Sequence, residues 1–446
     1  MKEIIKKLIY SILQYESKII LARFKPYIIM VTGSVGKTST KDALASALSP
    51  FTSVRKSEKS FNSNIGVPLT ILGLKNGWNN IFFWTWNIFL GAFKAMFQTR
   101  YPKVLILEVG ADKSGELEEI LEDFEPDSCV VTLFPDVPPH VENYSSREEL
   151  FTAEALPAFA VPKEGFVILN IDDERVRSLE GEVKGQVLFY GATPPSLFRL
   201  VGEDIQYEKI AGQFLPFGSI YQFEWEEENE KDEREKNKRV VREEIFLPRV
   251  LGIQHAYPIS ASLAMVSAFG FDPKKALKAF SKHIPPKGRM NLIEGVKGTM
   301  IIDDTYNSSP KAVDEALKTL KRVSTAGRRI AVLGDMLELG EYSQEAHKEA
   351  GRLAKAYADI LFTVGVHSRG TAEGALSSGM DEEKIFQFDD SREAGKFLEG
   401  MIQFGDAILV KGSQGMRMER VVLEVMRHPE QREKLLVRQE KEWGKR

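Results

Sequence analysis

The chain has 446 residues, 43% of them apolar and 28% charged, with a formal net charge of −4. That length makes room for two or three domains of soluble type, and the slight acidic excess argues against a nucleic-acid binder, which carries a basic one. The single cysteine, Cys129, excludes an intrachain disulfide framework and a cysteine-based zinc cluster, and it fits a reducing cytoplasm.

From the N-terminus, Ile4, Ile5, Leu8, Ile9, Ile12 and Leu13 recur at helical spacing. Residues 1–26 therefore read as an amphipathic helix packed on the next unit, with membrane-surface contact as the alternative. Charges recur throughout and no small-residue cleavage site follows an apolar core, unlike a signal peptide. YIIMVT follows as a short buried strand, and KDALASAL, beyond a Gly-rich loop, as an apolar-periodic helix. The segment 78–100 contains IFFWTWNIFLGAFKAMF. It is short for a membrane span and is interrupted by Asn87 and Lys94, so it reads as an apolar insertion: a buried hairpin, or an interfacial segment in peripheral membrane contact.

KVLILEVG (103–110), SCVVTLF (128–134) and GFVILN (165–170) read as buried parallel strands. Residues 203–247 carry a dense mixed-charge run, expected to be an exposed hairpin excursion with a solvated loop. At 283–291, Pro285, Pro286 and Gly288 break the periodicity and mark the expected hinge. Beyond it GTMIIDDTY, RRIAVLGD, ADILFTVG and DAILVKGS are strands separated by helices, the first helix opened by Ser309 as N-cap and Pro310. The expected fold class is α/β, with a central P-loop ATPase-type parallel-sheet domain over 27–288 followed by a Rossmann-like domain over 289–446.

The chemistry concentrates first in VTGSVGKTST, residues 31–40, which lies between a strand and a helix as a phosphate loop must. Gly33 and Gly36 let the backbone turn its N–H groups inward. Gly33, Ser34, Val35, Gly36, Lys37, Thr38 and Ser39 form the candidate cradle at a helix N-terminus. Lys37 is placed to reach the β- and γ-phosphates and Thr38 to hold Mg²⁺ through its hydroxyl. Val31 stands where the strict pattern has glycine, so the motif is a shortened G-x-x-G-K-T. Glu108 ends a strand and is placed for a second metal. His140 and Glu154 follow, and each taken alone reads as an ordinary structural histidine or helix-surface glutamate.

The loop resembles that of the Mur ligase family, ATP-dependent amide ligases of peptidoglycan precursor synthesis. NSNIGVPLTIL (62–72), LEVGADKSGE, HVENYSSREEL, GFVILNIDDE, DDTYNSSP, VLGDMLELGEYSQEAH and LVKGSQGMRMERVV resemble signatures of its dipeptide-adding branch, from about Tyr27 to about Met426. The resemblance implies ATP and Mg²⁺ as cofactors, with Lys37 and Thr38 on the γ-phosphate and first metal and Glu108 and His140 at the second. It implies that Arg289 reaches the nucleotide from the domain junction, that His255 lies near adenine, and that Asp303, Asp304 and Asn307 complete the nucleotide site. Lys411 and Ser413 fall near the incoming amine, and Asn62 and Asn64 in the Asn-rich substrate segment.

Fourteen residues on from His140, where many members carry a carbamoylated lysine, this chain has Glu154, so a direct carboxylate ligand is implied. Ala256 replaces the asparagine that follows the adenine-site histidine. Only 32 residues precede Gly33, so the N-terminal domain that grips a UDP-sugar is expected to be absent. The implied partners are a UDP-MurNAc-peptide-like acceptor and D-Ala-D-Ala. The alternatives are a Mur-type ligase with a different acceptor, or a nucleotide-dependent switch without ligase activity. Joint retention of Lys37, Thr38, Glu108, His140 and Arg289 argues against the switch.

Overall fold

The computed structural model describes residues 2–58, 61–78, 80–111, 113–210, 213–228, 238–440 and 443. The chain begins with α1 (Lys2–Phe24), β1 (Tyr27–Thr32), α2 (Lys37–Leu48), β2 (Val54–Lys56), α3 (Gly66–Leu72), α4 (Ile81–Phe97) and β3 (Val104–Glu108). It continues through α5 (Glu116–Leu121), β4 (Ser128–Val131), α6 (Arg147–Phe159), β5 (Phe166–Asn170), α7 (Glu174–Ser178) and β6 (Gln186–Gly191). Then come β7 (Phe198–Ile210), β8 (Gln213–Glu228), β9 (Lys238–Pro248), α8 (Ala256–Ala268) and α9 (Pro273–Ala279).

Beyond residue 288 lie β10 (Asn291–Glu294), β11 (Met300–Asp304), α10 (Pro310–Arg322), β12 (Arg329–Gly334), α11 (Ser343–Tyr357) and β13 (Ile360–Val364). The remainder is α12 (Arg369–Ser377), β14 (Ile385–Phe388), α13 (Ser391–Met401), β15 (Ala407–Lys411), α14 (Glu419–Val425) and α15 (Arg432–Leu435).

The first sheet runs β2-β3-β1-β4-β5-β6-β7-β8-β9, parallel as far as β7 and antiparallel from β7 to β9. Its central strands are wholly apolar because both faces are covered. Ile29 and Val31 belong to the core with α2 and α8, and Ile28 and Met30 to the core with α1 and α3. β1 has β3 on one side and β4 on the other. Chain order therefore reverses beside β1, and the crevice at its C-terminal end is where an open α/β sheet takes a ligand. The second sheet, β10-β11-β15-β12-β13-β14, is parallel apart from β10, in keeping with the Rossmann-like expectation. Ser309 does stand before Pro310 at the start of α10, but its side chain makes no capping bond.

Two expectations are corrected. Residues 203–247 are not an exposed excursion. β7, β8 and β9 extend the first sheet, and Tyr221, Phe223, Trp225, Ile245 and Leu247 are buried in the core with α8. The dense charge hid a period-two apolar face, with Arg199 and Arg242 both pairing with Glu224 on the other side. The loop 229–237 lies outside the described residues. Glu203 also ties this strand to the second unit: its Oε1 accepts from Ser219 Oγ and Gly252 N, and Arg322 Nη1 of α10 donates to Oε2 at 2.5 Å.

The second correction concerns 78–100, which is neither a hairpin nor buried. It forms the single helix α4, capped by Asn80, whose Oδ1 accepts from Phe83 N at 3.1 Å. Asn87, Gly91 and Ala95 face inward with Trp84 half-buried, while Phe82, Phe83, Trp86, Phe89, Phe93 and Phe97 face out. Among the described residues no helix is long and apolar enough to cross a membrane.

α1 packs Ile9, Leu13 and Ile20 inward and brings Glu16 against α4. A Cβ at Gly91 would stand 2.0 Å from Glu16 Oε2, so only glycine admits this approach. Glu16 Oε2 is buried without a hydrogen-bond partner, and burial pushes its carboxyl up to about 7. The folded chain then holds this proton more tightly than the unfolded chain does. Stability on this account is full below about pH 4.5, falls as pH rises toward about 7, and is level above that. Glu16→Gln should flatten this slope and stabilise the chain at pH 8 by about 2 kcal/mol. Thermal unfolding of both proteins across pH 5–8 checks it, and parallel curves would remove Glu16 as the cause.

Candidate active site

The loop after β1 forms as its residues dictate. Gly33 has φ 117°, and a Cβ there would meet Thr132 Oγ1 at 2.3 Å. Gly36 has φ 95° and precedes α2. Both positions need the left-handed region that glycine enters freely. Val31 is a buried strand residue paired with Glu108 and Val130, which accounts for its departure from the strict motif. The N–H groups of Ser34 and Val35 donate to Leu133 O at 3.0 and 3.3 Å, so in this conformation these two are held by β4's continuation rather than turned inward as expected. Ser39 lies half-buried in the first turn of α2.

Around the loop the side chains form a compact charged cluster. Lys37 Nζ donates to Gly33 O and lies 3.6 Å from Glu154 Oε1. Thr38 Oγ1 donates to Glu108 Oε1 at 2.9 Å. Register puts Glu108 there, since β3 pairs Glu108 with Val31 at the mouth of the loop. Glu154 is buried on α6, where its Oε2 accepts from Ser34 Oγ at 2.5 Å and its carbonyl accepts from Thr32 Oγ1. Burial pushes its carboxyl above the usual carboxylate range, opposed by Lys37, Ser34 and His140. Asn62 joins this cluster: its Nδ2 and Lys37 Nζ lie 3.1 and 3.5 Å from where a Cβ would stand on Gly110. Asn64 is turned away and donates to Glu119 Oε2 at 2.5 Å.

One member was missed in the sequence. Lys41 is fully buried, 3.2 Å from Glu108 Oε2 and 3.7 Å from Asp42 Oδ1. Its signal was a lysine one turn after Lys37 on the apolar face of α2.

The expected metal set is not gathered at one point. His140 Nδ1 lies 2.8 Å from Glu338 Oε2, beyond β12 of the second unit. Among the described residues no three His, Cys, Asp or Glu side chains converge as a metal centre. Thr38 and Glu108 do fit Mg²⁺. They offer a hydroxyl and a carboxylate, hard oxygen donors, and buried Glu108 Oε2 makes no hydrogen bond, facing the Lys41 ammonium at 3.2 Å.

A second cluster forms at the junction of the two units. His255 Nε2 contacts Arg289 O at 3.0 Å, and burial lowers its pKa to about 4, so the ring is neutral. The Arg289 guanidinium lies over the Tyr306 ring at 4.2 Å, with its Nε buried and unpartnered. Asp304 Oδ2 accepts from Lys411 Nζ at 2.6 Å and its Oδ1 accepts from Met290 N. Lys411 also donates to Asn307 O. Asp303 points elsewhere, accepting from Thr305 N and Oγ1, and burial pushes it up to about 7. Ser413 Oγ accepts from Leu337 N, so it braces the loop after β12.

The Mur ligase middle domain model matches residues 31–84 and 87–227, and the Mur ligase glutamate ligase domain model matches 288–414. The UDP-N-acetylmuramoyl-tripeptide–D-alanyl-D-alanine ligase of Bacillus subtilis is 27% identical over 418 residues, covering 94% of this chain and 79% of that protein. The ligase of the same name from Synechocystis is 26% identical over 408 residues, covering 91% and 75%. The crystal structure of MurF ligase from Thermotoga maritima in complex with ADP superposes with a TM-score of 0.72 at 23% identity, covering 95% of this chain and 84% of that one. That likeness shows a shared fold. With two family models spanning most of its length, this chain belongs to the Mur ligase family.

Proposed function

We propose that this chain is an ATP- and Mg²⁺-dependent ligase that joins D-Ala-D-Ala to the terminal carboxylate of a UDP-MurNAc-tripeptide. The observation that carries this reading is the cluster of Lys37, Thr38, Glu108 and Glu154 at the reversal point of the first sheet. The second unit is held to the same edge through His140 and Glu338. The two small-molecule substrates are those named in the relatives' own descriptions. The domains divide at 288/289, and the Pro285–Gly288 stretch is the hinge.

Amide formation from a free carboxylate is uphill in water, so the carboxylate must first gain a leaving group. Lys37 steers the γ-phosphoryl group of ATP onto it and neutralises charge as the group transfers, giving an acyl phosphate. Thr38 and Glu108 would hold Mg²⁺, which when bound would supply further charge neutralisation. The Lys41 ammonium pairs with Glu108 and holds it in place. Arg289, with its spare N–H, reaches the nucleotide from the junction, close to neutral His255. The dipeptide amine then attacks the acyl carbon and phosphate leaves. Closure of the second unit keeps water from the acyl phosphate.

Mass spectrometry of the protein with ATP, Mg²⁺, UDP-MurNAc-tripeptide and D-Ala-D-Ala tests this directly. The pentapeptide product should appear with ADP and phosphate. ATP hydrolysis indifferent to both other substrates would instead make the chain a switch. Glu154→Gln keeps an acceptor for Ser34 but loses the charge beside Lys37, so turnover should fall by about 10²-fold with little change in melting temperature. Near wild-type turnover would remove Glu154 from the reacting centre. Residues 1–26 and 78–100 lie outside this site, and peripheral membrane contact through them rests on a different observation, the outward face of α4.

A further inference from the structure

α4 turns Asn87 and Lys94 toward the protein and most of its aromatic side chains outward. Asn87 Nδ2 donates to Lys75 O at 2.8 Å. Lys94, the sole charge on the helix, is turned back to donate to Leu72 O and Gly73 O, the C-terminal carbonyls of α3, at 2.9 and 2.8 Å. Arg23 of α1 donates to Ala95 O and Met96 O at 3.2 and 2.9 Å. The inner side of α4 is thereby tied to the protein by hydrogen bonds, and its outer side carries no charge.

That outer side presents Phe82, Trp86, Phe89, Phe93 and Met96 at alternating spacings of four and three, with Phe97 four beyond Phe93, a single stripe. Phe82 is 84% exposed and Phe89 68% exposed. With their exposed neighbours these side chains offer on the order of 1,000 Å² of apolar surface. The largest apolar patch on a typical monomer is about 300–600 Å². Beside the stripe, α1 exposes Leu8, Tyr15 and Ile19, again at helical spacing.

Charge is segregated around this surface. Residues 61–107 carry four Lys or Arg and no Asp or Glu, and residues 1–26 carry six Lys or Arg against two Glu, in a chain of net charge −4. Arg23, Lys25, Lys75, Arg100 and Lys103 are exposed. Three of them are fastened to the helix or its ends: Arg23 and Lys75 by the bonds above, and Arg100 through its carbonyl, which accepts from Gln98 Nε2 at 2.6 Å. A second copy of the chain docked on this face would bring the same cationic fringe against itself. An anionic lipid surface meets both the stripe and the fringe.

We propose that the outward aromatic face of α4, with its cationic fringe, seats this chain in the headgroup region of an anionic lipid bilayer, the helix axis lying in the plane of the surface. At 17 residues α4 is about 26 Å long, less than a hydrocarbon core of about 30 Å. Its inner side is bonded to α1 and α3, so it lies on the membrane rather than through it. Aromatic side chains favour the interfacial zone, and basic residues add attraction to anionic headgroups that weakens with salt. None of the stripe residues belongs to the ligase site at the C-terminal end of β1, so docking does not depend on the reaction assigned there.

The test is flotation of the full chain with vesicles of phosphatidylcholine alone and of phosphatidylcholine with about 30% phosphatidylglycerol. The wild type should partition at least about tenfold better into the anionic vesicles, and higher salt should weaken this. Trp86 should be quenched by shallow spin-labelled lipid. Replacing Phe82, Trp86, Phe89 and Phe93 together with Ser should lower partitioning at least about tenfold while leaving ATP turnover in vesicle-free buffer unchanged. Failure of the wild type to float with anionic vesicles would overturn the proposal, as would undiminished flotation of the fourfold variant. A wild-type dimer in sedimentation that this variant turns into a monomer would assign the face to a second copy instead.

Discussion

Lys37→Met should lower substrate-dependent ATP turnover by about 10³-fold while the chain stays folded. The lysine is placed by Gly33 and Gly36, whose left-handed backbone turns the chain sharply enough to start α2 at residue 37. Its ammonium then sits between Gly33 O and Glu154, where charge develops on a transferring phosphoryl group. Methionine keeps the stem and removes the charge. Loss of the cation also removes the Lys37 charge that opposes the effect of burial on Glu154, so that carboxyl shifts further toward its protonated form. Protonation limits the stability cost to about 1–2 kcal/mol. Steady-state turnover with both substrates, alongside thermal unfolding, separates the effects. Turnover within tenfold of wild type would show that the loop does not deliver phosphoryl transfer.

Lys411→Met should destabilise the chain by about 3–5 kcal/mol, the largest stability effect expected. Lys411 ends β15 and pairs in register with Asp304 at the end of β11. Its ammonium is buried, 2.6 Å from Asp304 Oδ2 and 2.9 Å from Asn307 O. Burial lowers its pKa, and the Asp304 carboxylate opposes that. Removing the cation strands Asp304 beside Asp303, which burial already pushes up to about 7. Removing both ends of the pair together is gentler, because no charge is left uncompensated. Lys411→Met with Asp304→Asn should therefore recover much of the loss. Urea unfolding of the single and double variants checks this, and additive losses would show that the pair is not coupled.

Several parts of this protein were legible because their signals are local. G-x-x-G-K-T between an apolar strand and an apolar-periodic helix needs only neighbouring residues to be recognised, and Glu108 followed from its place at a strand end. The alternation of strands and helices was enough for two α/β units. Charge density concealed β7–β9, because a mixed-charge run dominates composition even when every second residue is apolar and buried. Lys41 was missed because no sequence rule marks a lysine as buried until its carboxylate partner is known. His140 paired with Glu338, nearly two hundred residues away, through a contact that exists only once the two units pack together.

By itself the sequence determines the phosphate loop, the order of the strands along the chain, and the membership of a ligase family. It also determines that 81–97 is aromatic and long enough for several helical turns. Only the tertiary structure decides which way that helix faces. Apolar composition reports a preference to leave water, not a direction, and a buried hairpin and an outward stripe satisfy it equally on paper. α1, α3 and the loop after α3 occupy one side of α4 and bond its C-terminal carbonyls, Lys94 and Asn87, and apart from Trp84 its aromatic side chains have only the outside left.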